Sequence, residues 1–86
     1  MPVETVKEIT RTEYELLRQL ALKANRVVLH EDLLTRVWGP EYRDEIDYLR
    51  AYIHYLRRKL EADPSNPRYI CTSPGVGYML SCPEEE

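Results

Sequence analysis

Between Tyr48 and Leu60 the chain carries Arg50, Arg57, Arg58 and Lys59 and not one acid. Cations set this closely suit phosphate oxygens, and a local basic stretch matters more to a polyanion than the chain total. The total points the other way. Twelve Lys and Arg against fifteen Asp and Glu give a net charge of −3. Three of those acids, Glu84, Glu85 and Glu86, form a terminal run, and without them the two signs balance. The same basic stretch also fits the solvated face of an amphipathic helix, the commonest use of a charge cluster. Other chemistry finds little footing. His30, His54, Cys71 and Cys82 lack any metal-ligand spacing, and Cys71 reads as a packed strand residue. Gly75-Val76-Gly77 lacks the lysine and longer frame of a phosphate loop and reads as a hairpin turn needing positive φ. Neither a catalytic site nor a metal, cofactor or small-molecule substrate is expected.

The elements that must position these cations follow from periodicity. Eighty-six residues, 43% apolar and 31% charged, suit one small globular domain spanning residues 1–86. No apolar run reaches the roughly 18 residues of a membrane span. Met1-Pro2-Val3-Glu4 has no basic leader, so no signal peptide is expected and the location is read as cytoplasmic. Two cysteines fit a reducing compartment. Val3 to Thr10 alternates weakly and suggests a short strand. Thr10 and Glu13 form a capping box ahead of Leu16, Leu17, Leu20, Ala21 and Ala24, the apolar face of a first helix. Asn25 suits a left-handed stop, and Val27-Val28-Leu29 is extended-looking. A second helix fits Glu31 to Trp38, with Leu33, Leu34, Val37 and Trp38 inward, ended by Gly39-Pro40. After a polar loop from Glu41 to Glu45, a third helix runs from about Ile46 to Ala62. Tyr69 to Thr72 and Gly77 to Leu80 read as a hairpin around the turn Ser73 to Val76.

Helix, helix, helix, hairpin, with an amphipathic and basic third helix, is the pattern of a winged helix-turn-helix: mostly α with a β-hairpin. In the third helix Leu49, Ile53, Leu56 and Leu60 make one narrow ridge that sets the buried direction. The opposite side then carries Asp47, Ala51, His54, Tyr55 and Arg58, with Arg50 and Arg57 on one flank and Tyr48, Tyr52 and Lys59 on the other. A helix lying in a major groove needs such a layout, with small or hydrogen-bonding residues central and cations at the edges. Arg50, Tyr55 and Arg58 suit base edges; Arg57, Lys59, Tyr52 and His54 suit phosphates. Tyr42, Tyr48, Tyr52 and Tyr55 favour this over a merely soluble helix, since exposed aromatics want a partner.

The segments Thr10-x-x-Glu13-Tyr14-x-Leu16-Leu17, Arg26-Val27-Val28, Glu31-Asp32-Leu33-Leu34-x-x-Val37-Trp38-Gly39, Leu56-Arg57-Arg58-Lys59-Leu60-Glu61 and Pro67-Arg68-Tyr69-Ile70-x-Thr72-x-x-Gly75-Val76-Gly77-Tyr78 resemble the DNA-binding domain of OmpR/PhoB-type response regulators. The resemblance covers about Thr10 to Leu80. Trp38-Gly39-Pro40, Tyr48-Leu49-Arg50 and Leu60-Glu61-Ala62-Asp63-Pro64 look most like its KdpE branch. The resemblance implies a winged helix whose third helix reads double-stranded DNA and whose hairpin touches the minor groove. Family DNA contacts would fall on Trp38, Arg50, Ala51, Tyr52, His54, Tyr55, Arg57, Arg58, Thr72 and Tyr78. The loop with Glu41, Asp44 and Glu45 would face RNA polymerase, and tandem dimers would sit on direct repeats. Departures from the pattern are Pro74 and Met79 in the hairpin, and His54 and Tyr55 where paired basic residues are common. The family's N-terminal sheet would be largely missing and its phospho-receiver domain absent, so the chain is read as a fragment of a two-component regulator. The competing reading is a winged-helix protein-interaction module, docking through the tyrosine-rich third helix and the acidic loop.

Overall fold

Residues 9–81 are described by a computed structural model. Thr10 starts the first helix because its hydroxyl accepts the Glu13 N–H at 3.2 Å while the Glu13 carboxylate accepts the Thr10 N–H at 3.0 Å. This reciprocal box satisfies two donors that a helix start leaves open, and helix α1 (Arg11–Leu22) follows. Asn25, at φ +70°, turns the chain back, and its N–H donates to Leu80 O at 2.7 Å. Strand β1 (Val28–Leu29) leads directly into helix α2 (His30–Val37). A 3-10 turn at Pro40–Tyr42 bridges to helix α3 (Ile46–Leu60), and the hairpin consists of β2 (Ile70–Ser73) and β3 (Gly77–Leu80). The expected strand from Val3 lies almost wholly outside the described residues, as do Cys82 and the acidic run Glu84 to Glu86.

The three helices and the hairpin share one core. Leu16 and Leu20 of α1, Leu33 and Leu34 of α2, and Leu49, Ile53 and Leu56 of α3 meet Val28, Ile70 and Tyr78 of the sheet. Each fully buried Leu or Ile contributes about 1.5–3 kcal/mol by leaving water. The ridge of α3 therefore faces inward as its spacing requires, except at its last member. Leu60 is only half-buried and, with Leu17, Ala21, Tyr69 and Leu80, lines an open apolar groove of about 390 Å³.

Two boundaries differ from the sequence reading. Helix α2 begins and ends one residue earlier than expected, with Trp38 as its C-cap. Helix α3 stops at Leu60 instead of Ala62 because Glu61 turns into extended geometry. There its buried carboxylate accepts the N–H groups of Arg68, Tyr69 and Ile70 at 2.7, 3.0 and 2.9 Å.

The hairpin is also more than a hairpin. β1 pairs antiparallel with β3, Val28 opposite Tyr78 and Leu29 opposite Gly77, giving a three-stranded sheet in the order β1-β3-β2. Two glycines make this possible for different reasons. Gly75 supplies φ +74° at the turn, a conformation costly to a residue with a Cβ. Gly77 has no such φ, but a Cβ there would sit 1.9 Å from Val28 O. The positive-φ reading thus holds at Gly75, while at Gly77 the requirement is the close approach of β1.

Candidate nucleic-acid interface

Fifteen residues of α3 extend about 22 Å at 1.5 Å per residue. With Leu49, Ile53 and Leu56 fully inward, Asp47, Arg50, His54, Tyr55 and Arg58 stand exposed. Ala51 is half-buried between them. The outward side is a helical face uncovered by the rest of the described fold, and it is flanked by the hairpin. Of the expected contact residues in that hairpin, Thr72 is exposed.

The cations on this helix are not equivalent. Arg50 pairs with Asp47 one turn earlier, at 2.7 Å, with both side chains largely in solvent. Such a pair is worth little and yields easily to a stronger anion. Lys59 is differently placed. Its ammonium reaches Glu13 Oε1 at 2.6 Å, and that carboxylate is 4% exposed. Burial pulls the Glu13 carboxyl up, but the Lys59 hydrogen bond and the Thr10 N–H outweigh it and hold the group below the ordinary carboxyl range. The phosphate role read for Lys59 from the sequence thus competes with a partner on α1. Glu13, Lys59, Tyr55 and Arg58 line a recess of about 460 Å³ at this end of α3.

Arg57 is likewise engaged. Its Nε and Nη2 donate to Ile70 O at 3.1 and 2.8 Å, Nη2 also donates to Thr72 Oγ1 at 2.7 Å, and the guanidinium lies 5.9 Å from the Tyr78 ring centroid. Tyr78 itself is 3% exposed, packed edge-on against His30 at 5.4 Å. It stands in the core, so its expected place at the DNA surface is corrected. Arg57, Thr72 and Tyr78 are nonetheless brought together, with Arg57 at the junction.

At the other end of α3 the aromatic residues find one another. Trp38 is half-buried, with its ring 5.1 Å from both Tyr48 and Tyr52 and 6.4 Å from Tyr42. Tyr48 and Tyr52 stack edge-on at 5.4 Å, and Tyr52 continues to Tyr55 at 5.9 Å. Edge-to-face pairs at such spacings add about 0.5–1.5 kcal/mol each beyond burial. Burial, and after it the Tyr48 hydroxyl, push the Tyr52 phenol above its ordinary pKa. The need of exposed tyrosines for a partner is thus met in part within the chain. Tyr55 remains about half exposed and Tyr48 slightly less. Glu41, Asp44 and Glu45 are exposed on the segment between α2 and α3.

Sequence reasoning missed Glu61 and the second duty of Glu13. The capping-box spacing gave Glu13 a local role, while its partner lies 46 positions away. For Glu61 the available signal was an acid directly after the last leucine of an amphipathic helix, where helix polarity disfavours it.

Comparison with known proteins agrees with this geometry. The family described as "Transcriptional regulatory protein, C terminal" matches residues 4–80. The transcriptional regulatory protein KdpE of Mycobacterium tuberculosis is 47% identical over 72 residues, which cover 84% of this chain and 32% of that protein. The DNA-binding dual master transcriptional regulator RpaA of Synechocystis is 42% identical over 79 residues, 92% of this chain and 33% of that protein. Among solved structures, the response regulator DrrB of Thermotoga maritima, an OmpR/PhoB homologue, superposes with a TM-score of 0.74 at 38% identity, covering 87% of this chain and 34% of that one. The chain spans about a third of the length of these relatives. A buried leucine ridge, a solvent-facing basic side and an adjoining hairpin meet the same conclusion from the structural side. The chain belongs to the family of transcriptional regulatory protein C-terminal domains, the winged helix-turn-helix DNA-binding domains of OmpR/PhoB-type response regulators.

Proposed function

We propose that this domain binds double-stranded DNA sequence-specifically as the output domain of a cytoplasmic response regulator, with α3 in the major groove and the hairpin at the minor groove. The observation that carries the reading is the uncovered side of α3. Arg50, His54, Tyr55 and Arg58 point outward there while the ridge behind them is fully buried. Ala51 permits close approach of the helix to the base pairs. Arg50, Tyr55 and Arg58 read base edges. His54 and Thr72 meet phosphates, and Tyr52 and Trp38 support the helix flank from the ring cluster. One such domain covers one half-site, so tandem pairing on direct repeats about one helical turn apart raises affinity.

Selection of bound duplexes from random DNA, at a stated salt concentration, tests the proposal. A defined half-site should emerge. Arg58→Ala should weaken binding to it by about 1–3 kcal/mol and relax preference at one position. No enrichment at low salt, or unchanged preference in Arg58→Ala, would show that this helix is not the reader.

A second surface is favoured by the exposed acids Glu41, Asp44 and Glu45 beside the ring cluster. We infer that it meets RNA polymerase while α3 holds DNA. The interaction-module alternative draws its support from the net charge of −3 and from the pairing of Lys59 with Glu13. It predicts partner capture with no DNA affinity even at low salt.

A further inference from the structure

Strand β2 is an edge strand, since the sheet order is β1-β3-β2. Tyr69 O accepts the Ser81 N–H, and Cys71 sits opposite Met79, so the Tyr69 carbonyl and the polar groups of Cys71 face β3. By the alternation of an antiparallel ladder, Ile70 then turns its N–H and C=O to the opposite, outer side. Those two groups are not left to water. The Ile70 N–H donates to Glu61 Oε2 at 2.9 Å, and its C=O accepts from Arg57 at 2.8 and 3.1 Å. Arg57 lies in the last turn of α3, and Glu61 is the residue that caps its end. Together they present to β2 a donor and an acceptor, the pair that a neighbouring strand would present. Glu61 adds the N–H groups of Arg68 and Tyr69, and Arg57 adds Thr72 Oγ1. Both ends of the attachment are buried: Ile70 is 0% and Glu61 7% exposed.

We propose that Arg57 is a positioning residue: with Glu61 it clamps the hairpin to α3, so that hairpin and helix meet a duplex as one rigid body. The proposal rests on the DNA-binding reading above and assigns Arg57 a different task from the phosphate contact its sequence position suggests. An arginine that swung out to a phosphate would leave the carbonyl of a fully buried residue unpaired, which is costly. Its fork also fits two acceptors in a fixed plane, as found here, which a lysine's single ammonium does not reproduce. A phosphate contact, by contrast, tolerates lysine as a point charge.

Arg57→Lys in the full 86-residue chain separates these roles. Residual dipolar couplings of backbone amides should show β2 and β3 reoriented relative to α3, with α1, α2 and α3 keeping their mutual orientation. On a duplex selected by the wild-type domain, affinity should fall on the order of tenfold, the equivalent of a lost charge-assisted hydrogen bond. On the same half-site cut short of the hairpin's groove, the variant and wild type should bind alike. Unchanged couplings, or an equal loss on both duplexes, would overturn the clamp. Thr72→Val, which removes one acceptor without touching α3, should shift the same couplings less far, and it carries the test if Arg57→Lys does not fold. If the wild-type chain binds no duplex, the DNA reading falls, while the couplings still decide the clamp.

Discussion

The two ends of α3 are secured by different physics. Its first half leans on rings: Trp38 against Tyr48 and Tyr52, with Tyr42 alongside. Its last turn is tied by charge: Lys59 to Glu13 of α1, Arg57 to the carbonyl of Ile70, and Glu61 just beyond it to three consecutive N–H groups. Ring contacts do not weaken with salt. Buried charged contacts hold against salt better than surface pairs, but their carboxylates are lost to protons. The helix read as the DNA reader is therefore anchored at one end by a salt-independent contact and at the other by one with a pH limit. Glu61 makes that limit concrete. Burial raises its carboxyl, while the N–H groups of Arg68, Ile70 and Tyr69, and then the charge of Arg57, lower it further, leaving it below the ordinary range.

The contrast breaks most visibly at Glu61. Glu61→Ala leaves three N–H groups without their acceptor beside a fully buried residue, and should cost about 3–5 kcal/mol in urea unfolding at pH 7. A cost under about 1 kcal/mol would show that water replaces the carboxylate and that the charged end is weaker than described. Trp38→Ala tests the other end. Full truncation of a buried aromatic costs about 3–5 kcal/mol, and this half-buried ring should cost about 2. The penalty should be the same at pH 7 and pH 4, because the Trp38 indole carries no ionisable group; a penalty that grows on acidification would dissolve the distinction. Glu13→Gln should have the smallest effect, about 1–2 kcal/mol at pH 7 for a weakened charge-assisted bond. Its folded pKa lies below the ordinary 4.5, so the carboxylate's contribution is complete above that pH and drains away as pH falls through the folded value. The gap between Glu13→Gln and wild type should therefore close on acidification below about pH 4.5. A gap that stays constant there would assign the loss to shape and not to charge.

What could be read in the residues themselves was whatever depends on near neighbours. The Thr10 and Glu13 box, the left-handed turn at Asn25, the stop after Trp38 and the turn at Gly75 each need only a few consecutive residues, and each stands in the structure. The buried side of α3 was equally legible, because a ridge of spacing three and four fixes a direction without reference to the rest of the chain. Contacts made across the sequence were not legible. Lys59 reads as an exposed cation until α1 places Glu13 against it. Arg57 looks like one more outward arginine until Ile70 is folded beneath its fork. Val27-Val28-Leu29 reads as extended, but its pairing with β3 was not legible, since only the missing side chain of Gly77 allows it. The partner of the tyrosines was equally hidden, since the indole that several of them meet caps a different helix.

The covered outer rim of the hairpin matters beyond a single molecule. Regulators of this architecture are proposed to sit shoulder to shoulder along a promoter, which crowds many short strands into a small volume. A naked strand there would invite its neighbour to zip on, and further neighbours after that, toward a fibril. Ile70, already occupied by its own helix, offers such a neighbour neither its N–H nor its C=O.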